Sequence, residues 1–404
     1  MKKWGAIFCV LLLLGGCETP KKVAPQEGRV ALVDVKTLTI SADQETYLKQ
    51  EQVKLQRAGF SLNLTPVCQV PIGEGISDSG IFLPQPVVVG KTIYTLDTEF
   101  QLSAFNLTDC QKKWQVQLPI SKEIYPKSVG LGANEKVIFA VGGDGTVVAV
   151  SPRGKIRGTR SLDAPLRSVP VMKDGLLFLL GADNSLFVLG GQTGESFWND
   201  KMPEAPVNYF GMPSVGMEGE LVVVPYTTGD IVGYNAFSGE RLWSEALFST
   251  YGFDKMEEMT HLIASPIVSD GLVFVVGNSG SSGVLYGKTG EEVWTQPVSG
   301  VQTPVVKGNV FIMLTHDNQV IAFEKYTGHV MWQTQLDSKE MWKGPVVYKK
   351  GILFISTSGQ LVYLDAKTGL SFPVLQTEAT QQAPLSVQGY IILLSNEAIL
   401  TVYK

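Results

Sequence analysis

The chain is poor in the residues that most often hold metals or carry catalysis. Its 404 residues include three histidines and four cysteines. His261, His316 and His329 are scattered along the chain, and no metal-ligand spacing links them. The glycine-rich run at 142–145 joins two predicted strands and precedes no helix, unlike a phosphate-binding loop. We therefore predict neither a metal nor a cofactor.

Clusters of basic residues and long apolar runs are also missing. The formal net charge is −5, and this acidic balance without a Lys/Arg cluster argues against nucleic acid as a partner. The N-terminal apolar run, Ile7 to Leu14, is too short to span a bilayer as a stable helix. It follows Lys2 and Lys3, as in an export signal. We therefore predict that the chain is exported.

The export signal ends at a cysteine in a specific context. Leu14-Gly15-Gly16-Cys17 resembles the lipobox of bacterial lipoproteins, in which the cysteine after the cleavage site is acylated. The resemblance implies a signal peptide at 1–16, lipid attachment at Cys17 and, because Glu18 rather than Asp follows, sorting to the outer membrane. The alternative is an ordinary secretory signal with an incidental cysteine.

Residues 17–60 differ in composition from the rest of the mature chain. The segment 18–28 is polar with prolines, as expected of a tether. The alternating apolar segment 29–40 could rest on the body of the protein, and the charged segment 43–56 allows one or two helical turns. We predict a solvated leader rather than a separate domain. Beyond it, only Cys68 and Cys110 remain, and an oxidising compartment would permit them to pair. The sequence leaves that pairing open, since it does not show whether their Cα atoms are close.

From residue 61 to the end, one pattern of about forty residues repeats. Each copy begins at a proline, continues through short β-rich apolar runs, turns at Gly and ends near an aromatic residue. This period, filled with short strands, is typical of a β-propeller. The opening prolines are Pro86, Pro126, Pro170, Pro213, Pro266, Pro304, Pro345 and Pro384.

One repeat resolves into four antiparallel strands, which make one propeller blade. In the copy that opens at Pro304, we predict strands at Val305–Val306, Asn309–Leu314, Gln319–Glu324 and Val330–Thr334. The turn before the last strand requires a residue with positive φ. Glycine fills that position at Gly194, Gly239, Gly290, Gly328 and Gly369.

An aromatic residue marks the start of most outer strands. An indole at this position can pack between blades and donate its N–H to a backbone carbonyl. The alternative, a stacking platform for a sugar or quinone, does not explain why the aromatic recurs at one place in the repeat. The residues are Trp114, Trp198, Trp243, Trp294 and Trp332, with Phe372 in the next unit.

The last repeat predicts how the ring closes. The unit at Pro384 has two strands, Tyr390–Leu394 and Ile399–Tyr403, after which the sequence ends. Its outer strand must come from the segment before Pro86, within Leu64–Ile72. We therefore predict an all-β fold, an eight-bladed propeller of four-stranded antiparallel blades, closed by an N-terminal strand. A seven-bladed ring is the alternative.

The repeat resembles the PQQ-type propeller repeat. Ala104-Phe105-Asn106 and the runs 234–239 and 364–369 carry its Ala-Leu-Asp and Thr-Gly pattern. With the lipobox and tether, residues 64–404 resemble the BamB family, propeller lipoproteins of the machinery that folds β-barrels into the bacterial outer membrane. The run Gln26–Leu32 is similar to a leader of the alphaproteobacterial branch. The resemblance implies a non-catalytic scaffold at the periplasmic face of the outer membrane.

The resemblance also implies partners and a site. In this family, loops on one propeller face contact the barrel-inserting subunit (BamA-like), within a complex that includes other assembly subunits and handles unfolded outer-membrane proteins. Two loops correspond by position, 203–211 and 248–263, although this chain lacks the family's leucine-arginine cluster and acids there. The predicted contact residues are Ala205, Val207, Asn208, Tyr209, Phe210, Tyr251, Phe253, Met256, His261 and Ile263.

An enzyme is the main alternative, because quinoprotein dehydrogenases share this repeat. Such an enzyme needs a quinone pocket, a Ca²⁺ site and an Asp base. The candidate acids Asp144, Asp183, Asp230 and Asp317 lie in or beside predicted hairpin turns, where Asp is common. The vicinal cysteine pair of those enzymes is absent from the sequence. A ligand-binding propeller is a third class, and it would need clustered exposed aromatics.

Overall fold

The architecture is the predicted eight-bladed propeller. The computed structural model describes residues 38–57, 59, 61–76, 83–121, 129–204, 213–246 and 262–404. These residues form one helix and 32 strands, which are arranged as eight four-stranded antiparallel sheets. The inner strands of successive sheets lie side by side, so the sheets follow one another around a ring. The prediction of eight blades is therefore confirmed.

The element bounds follow the repeat. The helix α1 (Ala42–Arg57) and strand β1 (Pro66–Pro71) come first. Blades 1 and 2 contain β2 (Val87–Val89), β3 (Thr92–Leu96), β4 (Gln101–Asn106), β5 (Lys112–Gln117), β6 (Val129–Ala133), β7 (Ile138–Gly142), β8 (Thr146–Val150) and β9 (Ile156–Ser161). Blades 3 and 4 contain β10 (Val171–Lys173), β11 (Leu176–Leu180), β12 (Ser185–Gly190), β13 (Ser196–Lys201), β14 (Gly216–Glu218), β15 (Leu221–Pro225), β16 (Asp230–Asn235) and β17 (Arg241–Ala246).

The second half of the ring repeats this order. Blades 5 and 6 contain β18 (Ile267–Ser269), β19 (Leu272–Val276), β20 (Ser282–Tyr286), β21 (Glu292–Gln296), β22 (Val305–Lys307), β23 (Val310–Leu314), β24 (Gln319–Glu324) and β25 (Val330–Gln335). Blades 7 and 8 contain β26 (Trp342–Tyr348), β27 (Gly351–Ser356), β28 (Gln360–Asp365), β29 (Ser371–Gln376), β30 (Leu385–Val387), β31 (Tyr390–Leu394) and β32 (Ile399–Tyr403).

The ring closes through strands from opposite ends of the chain. Strand β1 pairs antiparallel with β32, and Val70 lies opposite Leu400. Thr65 and Lys404 extend the ladder, since each donates its backbone N–H to the other's carbonyl at 3.0 Å. Blade 8 therefore has the strand order β1-β32-β31-β30. The predicted closing strand within Leu64–Ile72 is confirmed.

The hydrophobic core lies in the seams between neighbouring blades. Side chains alternate along each middle strand, so that one strand serves two seams. In β3, Tyr94 and Leu96 pack toward blade 2, whereas Ile93 packs toward blade 8. Because both faces are covered, the middle strands consist mostly of apolar residues on both faces. This is why the repeats show continuous apolar runs rather than strict alternation.

The recurring tryptophan and glycine meet across these seams. Trp332 of blade 6 is 1% exposed, and its Nε1–H donates to Ala366 O of blade 7 at 2.9 Å. Gly369 lies in the turn between β28 and β29 of blade 7, and a Cβ added to it would lie 2.5 Å from the Trp332 ring. The same contact joins Trp114 to Gly154, Trp198 to Gly239, Trp243 to Gly290 and Trp294 to Gly328. The predicted packing role of the tryptophans is confirmed.

The seam between blades 8 and 1 contains a disulfide instead. Cys68 and Cys110 are bonded, and their Cα atoms lie 5.8 Å apart. Cys68 opposes Val402 next to the bulge of its ladder, as Trp332 opposes Ala322 in blade 6. Cys110 occupies the turn position that glycine fills elsewhere, with φ +54°. The pairing that the sequence left open is therefore present in the structure.

The leader differs from the predicted solvated segment. Residues 42–57 form a helix of four turns rather than one or two, and Ser41 caps it by accepting the N–H of Gln44 at 3.2 Å. Leu48 is 6% exposed and packs into the core of blades 6 and 7 beside Trp332. Gln44 Nε2 donates to Met331 O at 3.1 Å. The sequence does not indicate that this helix docks, because few of its residues are apolar.

Helix α1 is not a membrane-spanning helix. Among the described residues, α1 is short and polar, and no helix there has the length and hydrophobicity to cross a bilayer.

Candidate functional site

The two predicted partner loops leave the propeller on the same face. Residues 203–211 connect the outer strand β13 to the inner strand β14, and residues 248–263 connect β17 to β18 in the same way. Since strands in a blade are antiparallel, these connections share a face with the hairpins between the two middle strands. We call this side the loop face. The loops leave from neighbouring blades, 3 to 4 and 4 to 5.

Most predicted contact residues lie outside the part of the chain that the structure describes. Nine of them lie outside the described residues, namely Ala205, Val207, Asn208, Tyr209, Phe210, Tyr251, Phe253, Met256 and His261, as does Cys17. Ile263 is described, and it is half-buried between Leu262 and Ala264, which are 1% and 3% exposed. The contact role of all ten residues stays a prediction, whereas the frame around the loops is defined.

Asn184 holds the start of the first loop. It lies in the middle hairpin of blade 3, is 1% exposed and adopts φ +59°, which asparagine tolerates. Its Nδ2 donates to Pro203 O at 2.7 Å, and its backbone carbonyl accepts the N–H of Met202 at 3.1 Å. Beside it, Lys201 Nζ lies 2.7 Å from Asp183 Oδ2. The chain is therefore fixed where the first loop begins.

The same asparagine connects blade 3 to blade 4. Its Oδ1 accepts the N–H and the hydroxyl of Thr227 at 3.1 and 3.0 Å. The Asn184 amide thus bonds to two elements at once, accepting from Thr227 and donating to the carbonyl of Pro203, and removing it would break three hydrogen bonds. It is the central polar residue beneath the first loop.

A buried arginine makes a second connection between these blades. Arg167 Nε donates to Gly181 O at 3.1 Å, and another guanidinium nitrogen donates to Pro225 O at 2.8 Å. Within the described part of the chain, no carboxylate forms an ion pair with it. Burial therefore lowers the pKa of Arg167 to about 10. Its fixed donors join the middle strands of blades 3 and 4 on the loop face.

The ends of the two loops meet at a pair of serines. Ser214 follows the first loop and Ser265 follows the second. The backbone N–H of Ser214 donates to Ser265 Oγ at 2.9 Å, and the two hydroxyls lie 3.1 Å apart. Ser265 N–H in turn donates to Thr303 Oγ1 at 3.2 Å, in the next connection. Three consecutive connections are therefore hydrogen-bonded to one another.

A charged network supports the outer side of this region. Arg241 of blade 4 grips the Asp200 carboxylate of blade 3 at 2.6 and 2.7 Å, and Tyr234 donates its hydroxyl to the same carboxylate at 2.8 Å. Partial burial opposes ionisation of Asp200, but the hydrogen bonds from Arg241 and Tyr234 hold its pKa below the ordinary value. The network fastens β13 just before the first loop.

Exposed apolar side chains also lie on the loop face. Val169, Val301 and Met341 are 38%, 37% and 68% exposed. Each belongs to a connection between an outer strand and the next inner strand, as the two predicted loops do. Such side chains on a rigid frame can serve as contact points for another protein.

The acids considered for catalysis, including Asp317 in the middle hairpin of blade 6, lie in or beside hairpins of four different blades. Asp144 and Asp183 accept backbone N–H groups two residues ahead, from Thr146 and Ser185, at 3.0 and 3.1 Å. Asp230 accepts the hydroxyl of Thr228 at 2.5 Å. These three acids stabilise their own turns. In the described ranges, no group of three potential metal-ligating side chains comes together.

Asn184, Arg167 and Asp200 were not identified from the sequence. Each acts on an element of the next blade, so its role depends on which blades are neighbours. The sequence offers one hint of such a role, which is that Asp200 lies shortly before the predicted partner loop 203–211.

Eight four-stranded sheets in a ring, with a tryptophan-glycine contact in five of the seams between them, define a PQQ-type propeller. The family model described as outer membrane protein assembly factor BamB matches residues 101–334, more than half of the chain. The chain belongs to this family.

Individual relatives are distant in sequence. The chain is 20% identical over 341 residues to outer membrane protein assembly factor BamB of Burkholderia pseudomallei, which covers 83% of this chain and 87% of that protein. It is 23% identical over 267 residues, 63% of each chain, to an uncharacterized protein of Rickettsia conorii. The crystal structure of BamB from Moraxella catarrhalis superposes with a TM-score of 0.73 at 16% identity, covering 84% of this chain and 99% of that one.

Proposed function

We propose that the protein is a non-catalytic scaffold of the outer-membrane β-barrel assembly machinery, and that its loop face binds the barrel-inserting subunit. Family membership supports the first part. The observation that carries the second is the serine pair Ser214–Ser265, which joins the ends of the two predicted partner loops. Because Ser214 and Ser265 are hydrogen-bonded, a partner that contacts both loops would meet them as neighbours on one face.

The frame explains how such a surface binds at low cost. Asn184 and Arg167 hold blades 3 and 4 together under the loops. A partner that binds there does not have to order these blades, so less binding free energy is lost to conformational entropy. The exposed Met341 and Val301 extend the apolar surface toward blades 5 to 7.

The proposed location follows from the N-terminus. Acylation of Cys17 would anchor the chain at the periplasmic face of the outer membrane, with residues 18–37 linking the lipid to the docked helix α1. Mass spectrometry of the mature chain tests this, because an acylated N-terminal Cys17 is expected and an unmodified one would contradict it.

Copurification tests the partner. From gently solubilised envelopes, the tagged chain is expected to retain the barrel-inserting subunit and other assembly subunits. Replacing residues 205–211 with a Gly/Ser segment of equal length should weaken this association. Tyr326→Ala, in a turn on the opposite face, is the matched control because Tyr326 is 51% exposed. Retention that is lost in the control and kept in the loop variant would contradict the proposal.

The dehydrogenase alternative is not favoured, since the matching family is that of an assembly factor. Addition of pyrroloquinoline quinone and Ca²⁺ tests it directly. A scaffold is expected to leave the absorption spectrum of the quinone unchanged, whereas saturable binding with dye-linked alcohol oxidation would support an enzyme.

A further inference from the structure

The seam between blades 8 and 1 differs in a systematic way from five of the other seams. Five seams pair a tryptophan with the glycine of the next turn, and the 8–1 seam pairs two cysteines at the corresponding positions. We propose that Cys68–Cys110 is an oxidation-dependent latch of the ring. The chain would then be a substrate for thiol oxidation, and the closing strand β1 would become fixed only after that step.

The positional correspondence is detailed on the side of the outer strand. In blade 6 the ladder pairs Ala322 with Trp332 and then shifts register. In blade 8 the ladder pairs Val402 with Cys68 and shifts register at the same point. Cys68 therefore occupies the place of the tryptophan.

The correspondence also holds on the side of the turn. Gly328 donates its N–H to Glu324 O at 2.9 Å, and Cys110 donates its N–H to Asn106 O at 3.0 Å. Both residues adopt positive φ, +70° and +54°. Cys110 is 5% exposed. The covalent bond thus replaces a contact that holds other blades together without one.

This seam has a specific need for such a bond. Strand β1 is the only strand of blade 8 that does not come from the C-terminal repeat. Its six residues have no fully buried side chain, as in the outer strands β5 and β13, but no hairpin joins β1 to its neighbour β32 as one joins those strands to theirs. A short edge strand with this little burial opens easily on its own. The latch ties it to blade 1 through the turn at Cys110.

Formation of the Cys68–Cys110 bond requires an oxidant that accepts two electrons. The two thiols lose two protons and two electrons as the Sγ–Sγ bond forms, and a disulfide-bearing oxidant takes them up and leaves as a dithiol. The step requires an oxidising compartment, which the proposed export supplies. The disulfide Cys68–Cys110 does not depend on binding of the barrel-inserting subunit. The latch and the proposed partner can therefore be refuted independently.

Hydrogen exchange on the purified mature chain tests the latch. Cys68→Ala/Cys110→Ala should speed exchange of the β1 and β32 amides on the order of a hundredfold, while amides of β24 keep their protection. Cys68→Trp/Cys110→Gly installs the pair used by the other seams and should restore part of the protection. If that variant does not fold, exchange of the β1 amides is compared in the wild-type chain with and without reductant. The reduced chain is then expected to exchange as fast as the alanine variant.

Three results would overturn the latch. Equal protection of β1 in the oxidised and reduced chains would show that the bond does not hold the strand. Uniformly faster exchange in β1, β32 and β24 would show a general loss of stability instead. In cells, the exported chain is expected to resist alkylation until reduced and to become alkylatable when the compartment's thiol oxidase is deleted. Free thiols in the exported wild-type chain would contradict the proposal.

Discussion

The contact between tryptophan and glycine makes a quantitative prediction at Gly369. This residue has φ +69°, and an added Cβ would lie 2.5 Å from Trp332 Cε3 and 2.7 Å from Thr334 Oγ1. Gly369→Ala therefore imposes both backbone strain and overpacking. Trp332 has little room to yield, because it is 1% exposed and its N–H is committed to Ala366 O.

The two costs can be estimated separately. A left-handed conformation costs a non-glycine residue about 1 to 2 kcal/mol, and overpacking in a dense core typically costs about 1 to 3 kcal/mol. Gly369→Ala is thus expected to lower the free energy of unfolding by about 2 to 5 kcal/mol. Gly308→Ala is the matched control, since Gly308 has φ +60° and nothing lies within 4 Å of its added Cβ. It should lose about 1 to 2 kcal/mol.

Urea unfolding followed by tryptophan fluorescence measures both variants. The midpoint should fall further for Gly369→Ala than for Gly308→Ala, with unchanged slopes so that the difference reports stability. Equal losses in the two variants would refute the reasoning, because they would mean that the close approach to Trp332 carries no energy.

Three further predictions concern the region beneath the loops. Trp198→Phe should cost about 1 kcal/mol in urea unfolding, because the hydrogen bond to Ala236 O at 2.8 Å is lost; no change would show that the indole N–H is dispensable. Asp200 has a lowered pKa, so its stabilisation is present above the unfolded-state pKa of about 4 and is lost as pH falls through the folded-state pKa. Asp200→Asn should therefore flatten the decline of unfolding free energy below about pH 4, and an unchanged decline would contradict this assignment. Asn184→Ala removes three buried hydrogen bonds and should cost about 2 to 4 kcal/mol; it should also weaken the partner's affinity in calorimetry, and unchanged affinity would argue against the proposed frame.

The features of a single repeat could be predicted from the sequence. Tyr390–Leu394 and Ile399–Tyr403 have the predicted bounds, and the predicted strand Gln319–Glu324 is also unchanged. The glycine turns have positive φ at all five predicted positions. These features depend on local propensity and on a pattern repeated many times, so errors in one copy are corrected by the others.

The features that join different blades could not be predicted in this way. Helix α1 docks onto blades 6 and 7, nearly three hundred residues away, through few apolar side chains. The hydrogen bonds of Asn184 and Arg167 depend on the order of blades around the ring. One signal was available and missed. Aligning the predicted closing strand with the other outer strands places Cys68 at the tryptophan position, which predicts the disulfide with Cys110.

The measurement that tests the proposed function most directly is site-specific photocrosslinking in the envelope. A photoreactive residue is placed at Ile263, on the loop face, or at Tyr326, on the opposite face. We expect the Ile263 probe to crosslink to the barrel-inserting subunit and the Tyr326 probe not to do so. Crosslinks from Tyr326 with none from Ile263 would contradict the assignment of the loop face as the binding surface.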